Sequence, residues 1–143
     1  MNLLATKKTS YLLDMGIEIL HEQSQEWLSE IAFWRDETNF FYSLIIGKTL
    51  KSIPTDVKSG VKKIENSLIS ITVDELDKLQ EDVEKHEKFL NYIMLTKSNE
   101  EESYRQKHRE LSQTITKFEK KFKSVKKEVF DLAKQIKKEN KKE

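Results

Sequence analysis

Cysteine is absent from the 143 residues. Its absence removes disulfides, thiolate metal sites and a thiol nucleophile. One proline and three glycines are too few for the turns of an all-β domain. Gly16, Gly47 and Gly60 stand alone, so no glycine-rich loop can cradle a phosphate. The serines have no nucleophile elbow around them. No catalytic residue is expected, the chain does not read as an enzyme, and no cofactor is implied. Arginine occurs only as Arg35, Arg105 and Arg109, and exposed aromatics are expected to be nearly absent beside the lysines, which argues against nucleic acid as a partner. The longest apolar stretches, such as Leu44 to Ile46, fall far short of the ~18 residues of a spanning helix. The first ten residues have no apolar core for a signal peptide, and their lysines follow the leucines. The expectation is a cytoplasmic protein with no membrane partner.

What remains is charge and periodicity. Charged residues make up 36% of the chain and apolar residues another 36%. A chain of this length suits one domain over residues 1–143, large enough for a core of its own. Pro54 interrupts any helix, and Thr55 with Asp56 behind it resembles an N-cap. Ser98 with Glu101 three residues on reads as a capping box. These marks divide the chain into helices over about 10–51, 55–97 and 99–140.

The third segment places Tyr104, His108, Leu111, Ile115, Phe118, Phe122, Val125, Val129, Leu132 and Ile136 at steps of four and three, a heptad seam. The first repeats every seven at Leu13, Leu20, Trp27, Trp34 and Phe41. Ile17, Ser24, Ile31, Thr38 and Ile45 form a second row beside it. The second segment runs through Val61, Ile64 and Leu68, then Leu76, Leu79, Val83, His86, Leu90 and Ile93. Steps of four, four and three through Thr72 join Leu68 to Leu79, a local eleven-residue repeat. Thr72 with Glu75 is a further capping box, so the second helix either continues through Thr72 with room for a kink, the favoured reading, or breaks there to give four helices of unequal length. The fold expected is all-α: an up-down-up antiparallel bundle of three long helices with coiled-coil-like packing.

Seven of the thirteen aromatics lie in the first segment, six of them between Trp27 and Tyr42. This apolar face is wider than a two-position seam: either two neighbouring helices bury it, or a stripe of it is left over for self-association. On the second reading Phe33, Phe40, Ile69 and Phe130 are the candidates for an interface, with a homodimer or another protein as partner. From Asp14 to Glu37 seven acids meet one base, and from Asp74 to Glu102 ten acids meet four. From Lys117 to Glu143 eleven lysines meet five acids. From Lys48 to Lys63 five lysines meet one aspartate. Antiparallel helices gather the basic stretches at one end of the rod, and an antiparallel dimer brings that end beside the acidic end of the other copy.

The three histidines fall one to a segment. Register arithmetic sets His21 level with about residue 85, His86 with about Leu111 and His108 with about Phe89. A divalent-metal or small-ligand site from His21, His86 and His108, with Glu18 and Glu22 as carboxylates, is the alternative function. A polar layer that sets register is the simpler reading. A diiron centre needs Glu-x-x-His on two helices, and only Glu18 to His21 fits.

His21, then Trp27-Leu28-Ser29-Glu30-Ile31-Ala32-Phe33-Trp34-Arg35-Asp36-Glu37, resembles the first helix of short uncharacterised bacterial helical-bundle proteins. Their pattern is His-x-x-His…Trp…Leu-x-Phe-Tyr-x-Asp-Glu. Phe118-Glu119-Lys120-Lys121-Phe122 is similar to their closing helix. Ser24 stands at the place of their second histidine and Trp34 at that of the tyrosine. The resemblance implies the fold and a bacterial cytoplasmic setting, and no chemistry.

Overall fold

A computed structural model describes residues 16–46 and 54–141. Among them there is no strand. Helix α1 spans Ile17–Ile46. Helix α2 spans Thr55–Ser70, a π-helical turn follows over Ile71–Leu76, and α3 spans Asp77–Thr96. Helix α4 spans Glu101–Lys141, 41 residues or about 60 Å. The ends expected for the first helix, near residues 10 and 51, and Leu13 of its repeat lie outside the described residues.

The second rod does not break at Thr72. Ser70, Ile71, Leu76 and Asp77 all keep right-handed helical backbone. The Thr72 hydroxyl donates to the Leu68 carbonyl at 3.1 Å, so it turns back on its own helix and caps nothing. The Asp77 N–H donates to the Thr72 carbonyl, five residues back. The expected path through Thr72 is also corrected. The residues buried here are Leu68, Ile71, Leu76 and Leu79, while Thr72 is only half-buried. From Val57 to Ile93 the buried positions alternate steps of four and three, apart from one step of five between Ile71 and Leu76. One surplus residue has entered the heptad, and the π turn absorbs it by widening a single loop of helix. Both halves of the rod thereby keep their apolar stripe on the same side.

The other two caps also differ from expectation. Pro54 occupies the cap position of α2 with no side-chain cap, and Thr55 is already helical. The Ser98 hydroxyl accepts from the Glu100 N–H at 3.2 Å, while Glu101 pairs with Arg105 at 2.9 Å. The guanidinium one turn along holds the carboxylate that a capping box would need. Helix α3 closes on Lys97 in the left-handed conformation, with φ of 51°.

All ten seam residues of α4 are buried. α1 packs against the second rod and α4, and α4 packs against both α2 and α3. Trp34 lies on Phe118 with centroids 4.9 Å apart, and Phe118 stacks on Phe122 at 5.6 Å. These rings join Ile31, Phe41, Leu68, Leu76, Val83 and Val129 in the main apolar core. Leu20, Leu90, Ile93 and Tyr104 form a separate small cluster towards the α3–α4 turn. Arg35 bonds Asp77 at 2.7 Å and Gln80 at 2.8 Å, tying α1 to the start of α3.

Candidate functional site: a buried histidine layer and an exposed aromatic face

Ser24, His86 and His108 lie between the two apolar clusters in sequence on each helix, and all three are buried. Heptad spacing carries each of them inwards where an apolar residue would otherwise stand. His86 Nε2 and His108 Nδ1 are 2.9 Å apart, and His108 Nε2 is 2.8 Å from Gln23 Oε1. An amide oxygen only accepts, so with Gln23 in this orientation His108 donates from Nε2 and receives at Nδ1 from His86 Nε2–H. Both rings are then neutral with the proton on Nε2. Tyr104 stacks on His86 with centroids 4.2 Å apart, and Trp27 covers His108 at 4.5 Å.

Burial pushes the His86 imidazole down to about 4, with help from His108 and Lys107. His108 is likewise lowered to about 4, by burial first and by Arg105 second. Burial and then the Glu87 carboxylate push the Tyr104 hydroxyl up to about 12, opposed by the neighbouring Ser24 hydroxyl and by Arg105. Although they are neighbours, the two hydroxyls do not meet hydrogen-bond geometry. Ser24 Oγ, Tyr104 OH, Glu87 Oε1 and His86 Nδ1 are each buried without a hydrogen-bond partner.

His21 is not part of the pair. It is half exposed and meets Glu87 Oε2 through Nδ1 at 2.5 Å, and Gln25 donates to the same oxygen at 3.0 Å. Glu18 and Glu22 are exposed. Among the described residues, no three His, Cys, Asp or Glu side chains gather as metal ligands. The structure thus brings two of the three histidines together and turns the third to a carboxylate. Spacing alone gave no signal for Gln23 or Glu87 as partners, because a polar residue beside a seam reads as surface.

The aromatic face lies on the outer side of α1. Phe33 and Phe40 are each 60% exposed, Phe130 is 49% exposed, and Ile69 is 44% exposed. Phe40 and Phe130 are linked through Phe41, with centroid distances of 5.9 Å and 5.6 Å. Ile69 is separate from them. It lines a shallow groove with Val73, Thr38, Asn39 and Tyr42 on the α2 side of α1.

No family model, curated protein or solved structure matches the chain. Among the described residues, no helix is long and apolar enough to cross a membrane.

Proposed function

We propose that the chain is a non-catalytic helical-bundle protein that acts by protein–protein contact, self-association first, through the face of Phe33, Phe40 and Phe130. The observation that carries this is the exposure of two phenylalanines seven residues apart on one helix face, each 60% open to solvent. Large contiguous apolar patches are uncommon on monomers and mark contact sites. The histidine layer serves the fold in this reading, fixing which residues of the three helices stand level.

The arrangement that presents the face is an up-down-up antiparallel bundle with coiled-coil-like packing. Gln25 bonds Glu87 and Arg35 bonds Asp77, so partners on α3 descend as α1 ascends. Lys121 pairs with Glu75, while His108 meets His86, which gives the same descent between α4 and the second rod. The unbroken heptad of α4 supports knobs-into-holes contact. The bacterial cytoplasmic setting implied by the resemblance of Trp27 to Glu37 belongs with this reading.

Light scattering should give about twice 17.0 kDa at micromolar concentration. Replacing Phe33 and Phe40 by serine should leave a folded monomer. A monomeric wild type, or a double variant that unfolds, would assign the rings to the bundle's own stability and remove the reading.

A further inference from the structure

We infer that the partner on this face is a second copy of the chain, laid antiparallel across the α1–α4 side about a two-fold axis between Phe33 and Phe40. The inference rests on the reading of the aromatic face as a contact surface and adds its occupant and geometry.

The face is not uniform along its length. Towards the start of α1 it carries Glu26 and Glu30, four residues apart and so on one side of the helix. Glu30 lies four residues before Trp34 and three before Phe33. Its carboxyl is raised from the ordinary value by partial burial, then by repulsion from Glu26 and from Glu119 on α4. Three like charges therefore crowd the groove between α1 and α4 at this end. None of the three forms an ion pair among the described residues.

At the other end of the face stands Phe130. Lys134 and Lys137 follow it by four and seven residues, on the same stripe of α4, and both are exposed. Neither has an ion pair among the described residues. Lys126, by contrast, is already taken by Glu37 at 2.6 Å. The order along the face is acidic cluster, Phe33 with the exposed Lys123 on the Phe130 stripe of α4, then Phe40 with Phe130, then the two lysines Lys134 and Lys137.

A surface of that order complements itself only when one copy is reversed. A parallel pairing sets carboxylates on carboxylates and lysines on lysines. A two-fold axis between Phe33 and Phe40 exchanges the ends. It sets ring against ring at the centre, and Glu26 and Glu30 of each copy against Lys134 and Lys137 of the other. Such an interface is isologous and closes at two copies. Removing the crowding around Glu30 favours association, and the exchanged charges add steering and register.

The absence of native cysteine makes the geometry directly readable. Ser29 and Ser43 are exposed, four residues before Phe33 and three after Phe40. They lie at nearly equal distances on either side of the proposed axis. Single variants Ser29→Cys and Ser43→Cys are prepared separately, checked for helix content and size, then oxidised alone and mixed. The antiparallel dimer predicts a disulfide-linked product from the mixture and little from either variant alone. Self-cross-linking by each variant alone, with none across the mixture, means a parallel pair and overturns the geometry while self-association stands. No cross-linking by proteins that still scatter as dimers places the interface elsewhere and overturns the inference too. A monomeric wild type overturns both readings.

A second measurement uses charge alone. Glu26→Lys with Glu30→Lys should weaken self-association by roughly tenfold or more. So should Lys134→Glu with Lys137→Glu. An equimolar mixture of the two double variants should recover the wild-type dimer, because every exchanged pair is then opposite in sign. Failure of the mixture to recover, with both variants folded, overturns the charge register.

Discussion

His86 and His108 both titrate near 4 in the fold, against 6.5 for an unperturbed imidazole. A depressed folded value means that the unfolded chain takes up these protons first as pH falls. The stability tied to the neutral pair is therefore complete above about pH 6.5 and is lost progressively as pH falls towards 4. A thermal melt series should show the midpoint falling between pH 6.5 and 5, above the range where ordinary carboxylates titrate. His108→Gln keeps a polar side chain without a titrating ring, and its melting temperature should vary less over that interval. A wild-type midpoint that stays flat from pH 7 to 5 would contradict a buried neutral pair. The same residues show where sequence reading stops. The seam positions of His86 and His108 were legible from heptad spacing. Their direct contact, the Gln23 acceptor and the departure of His21 to Glu87 depend on side-chain rotamers and on an exact level between helices. Register arithmetic fixes that level only to about one helical turn.

Among the elements, the second rod carries the clearest deviation from regularity. Its surplus residue is held in the turn Ile71–Leu76, where Val73 is exposed. Deleting Val73 should convert the turn to ordinary α-helix and leave both apolar stripes in place, with unchanged helix content by circular dichroism. Deleting Glu81, inside the regular part of α3, should rotate everything beyond it by about 100° and cost far more stability. Equal losses from the two deletions would show that the π turn is not absorbing the extra residue. Lys97 closes α3 with a left-handed backbone that a side chain disfavours. Lys97→Gly should raise unfolding free energy by about 0.5–1 kcal/mol in urea titration. An unchanged or lower value would show that the lysine side chain offsets the backbone strain. Over the described residues helix existence was readable, since apolar period decides it, and every seam residue of α4 is buried as its spacing requires. The cap details were not. Ser98 and Thr72 each had an alternative acceptor or donor within a turn, and local sequence does not say which wins. The eleven-residue repeat was visible as an irregularity, but a tighter path through Thr72 and a wider loop past it fit the spacing equally well.

Over the whole molecule, the polar layer divides the apolar interior unequally. Leu20, Leu90, Ile93 and Tyr104 stand on one side, and the main core with Trp34, Phe118 and Phe122 stands on the other. Cooperative opening follows buried apolar contact, so the small cluster should open at lower free energy. Native-state hydrogen exchange should find the amides around Leu90 and Tyr104 less protected than those around Val61 and Phe122. Uniform protection along α4 would mean that the layer transmits stability as well as an apolar one does. The two tryptophans both belong to the main-core side of the layer, but only Trp27 also touches the histidine pair. Trp27 lies against His108, and Trp34 lies against Phe118. The indole emission of this protein is therefore the sum of two reporters, one at the edge of the main core beside an imidazole and one within it. Trp34→Phe leaves an optical probe of the histidine pair, whose emission dims when the imidazole beside it becomes a cation. Trp27→Phe leaves a probe of the main core that ignores that proton until the bundle itself comes apart.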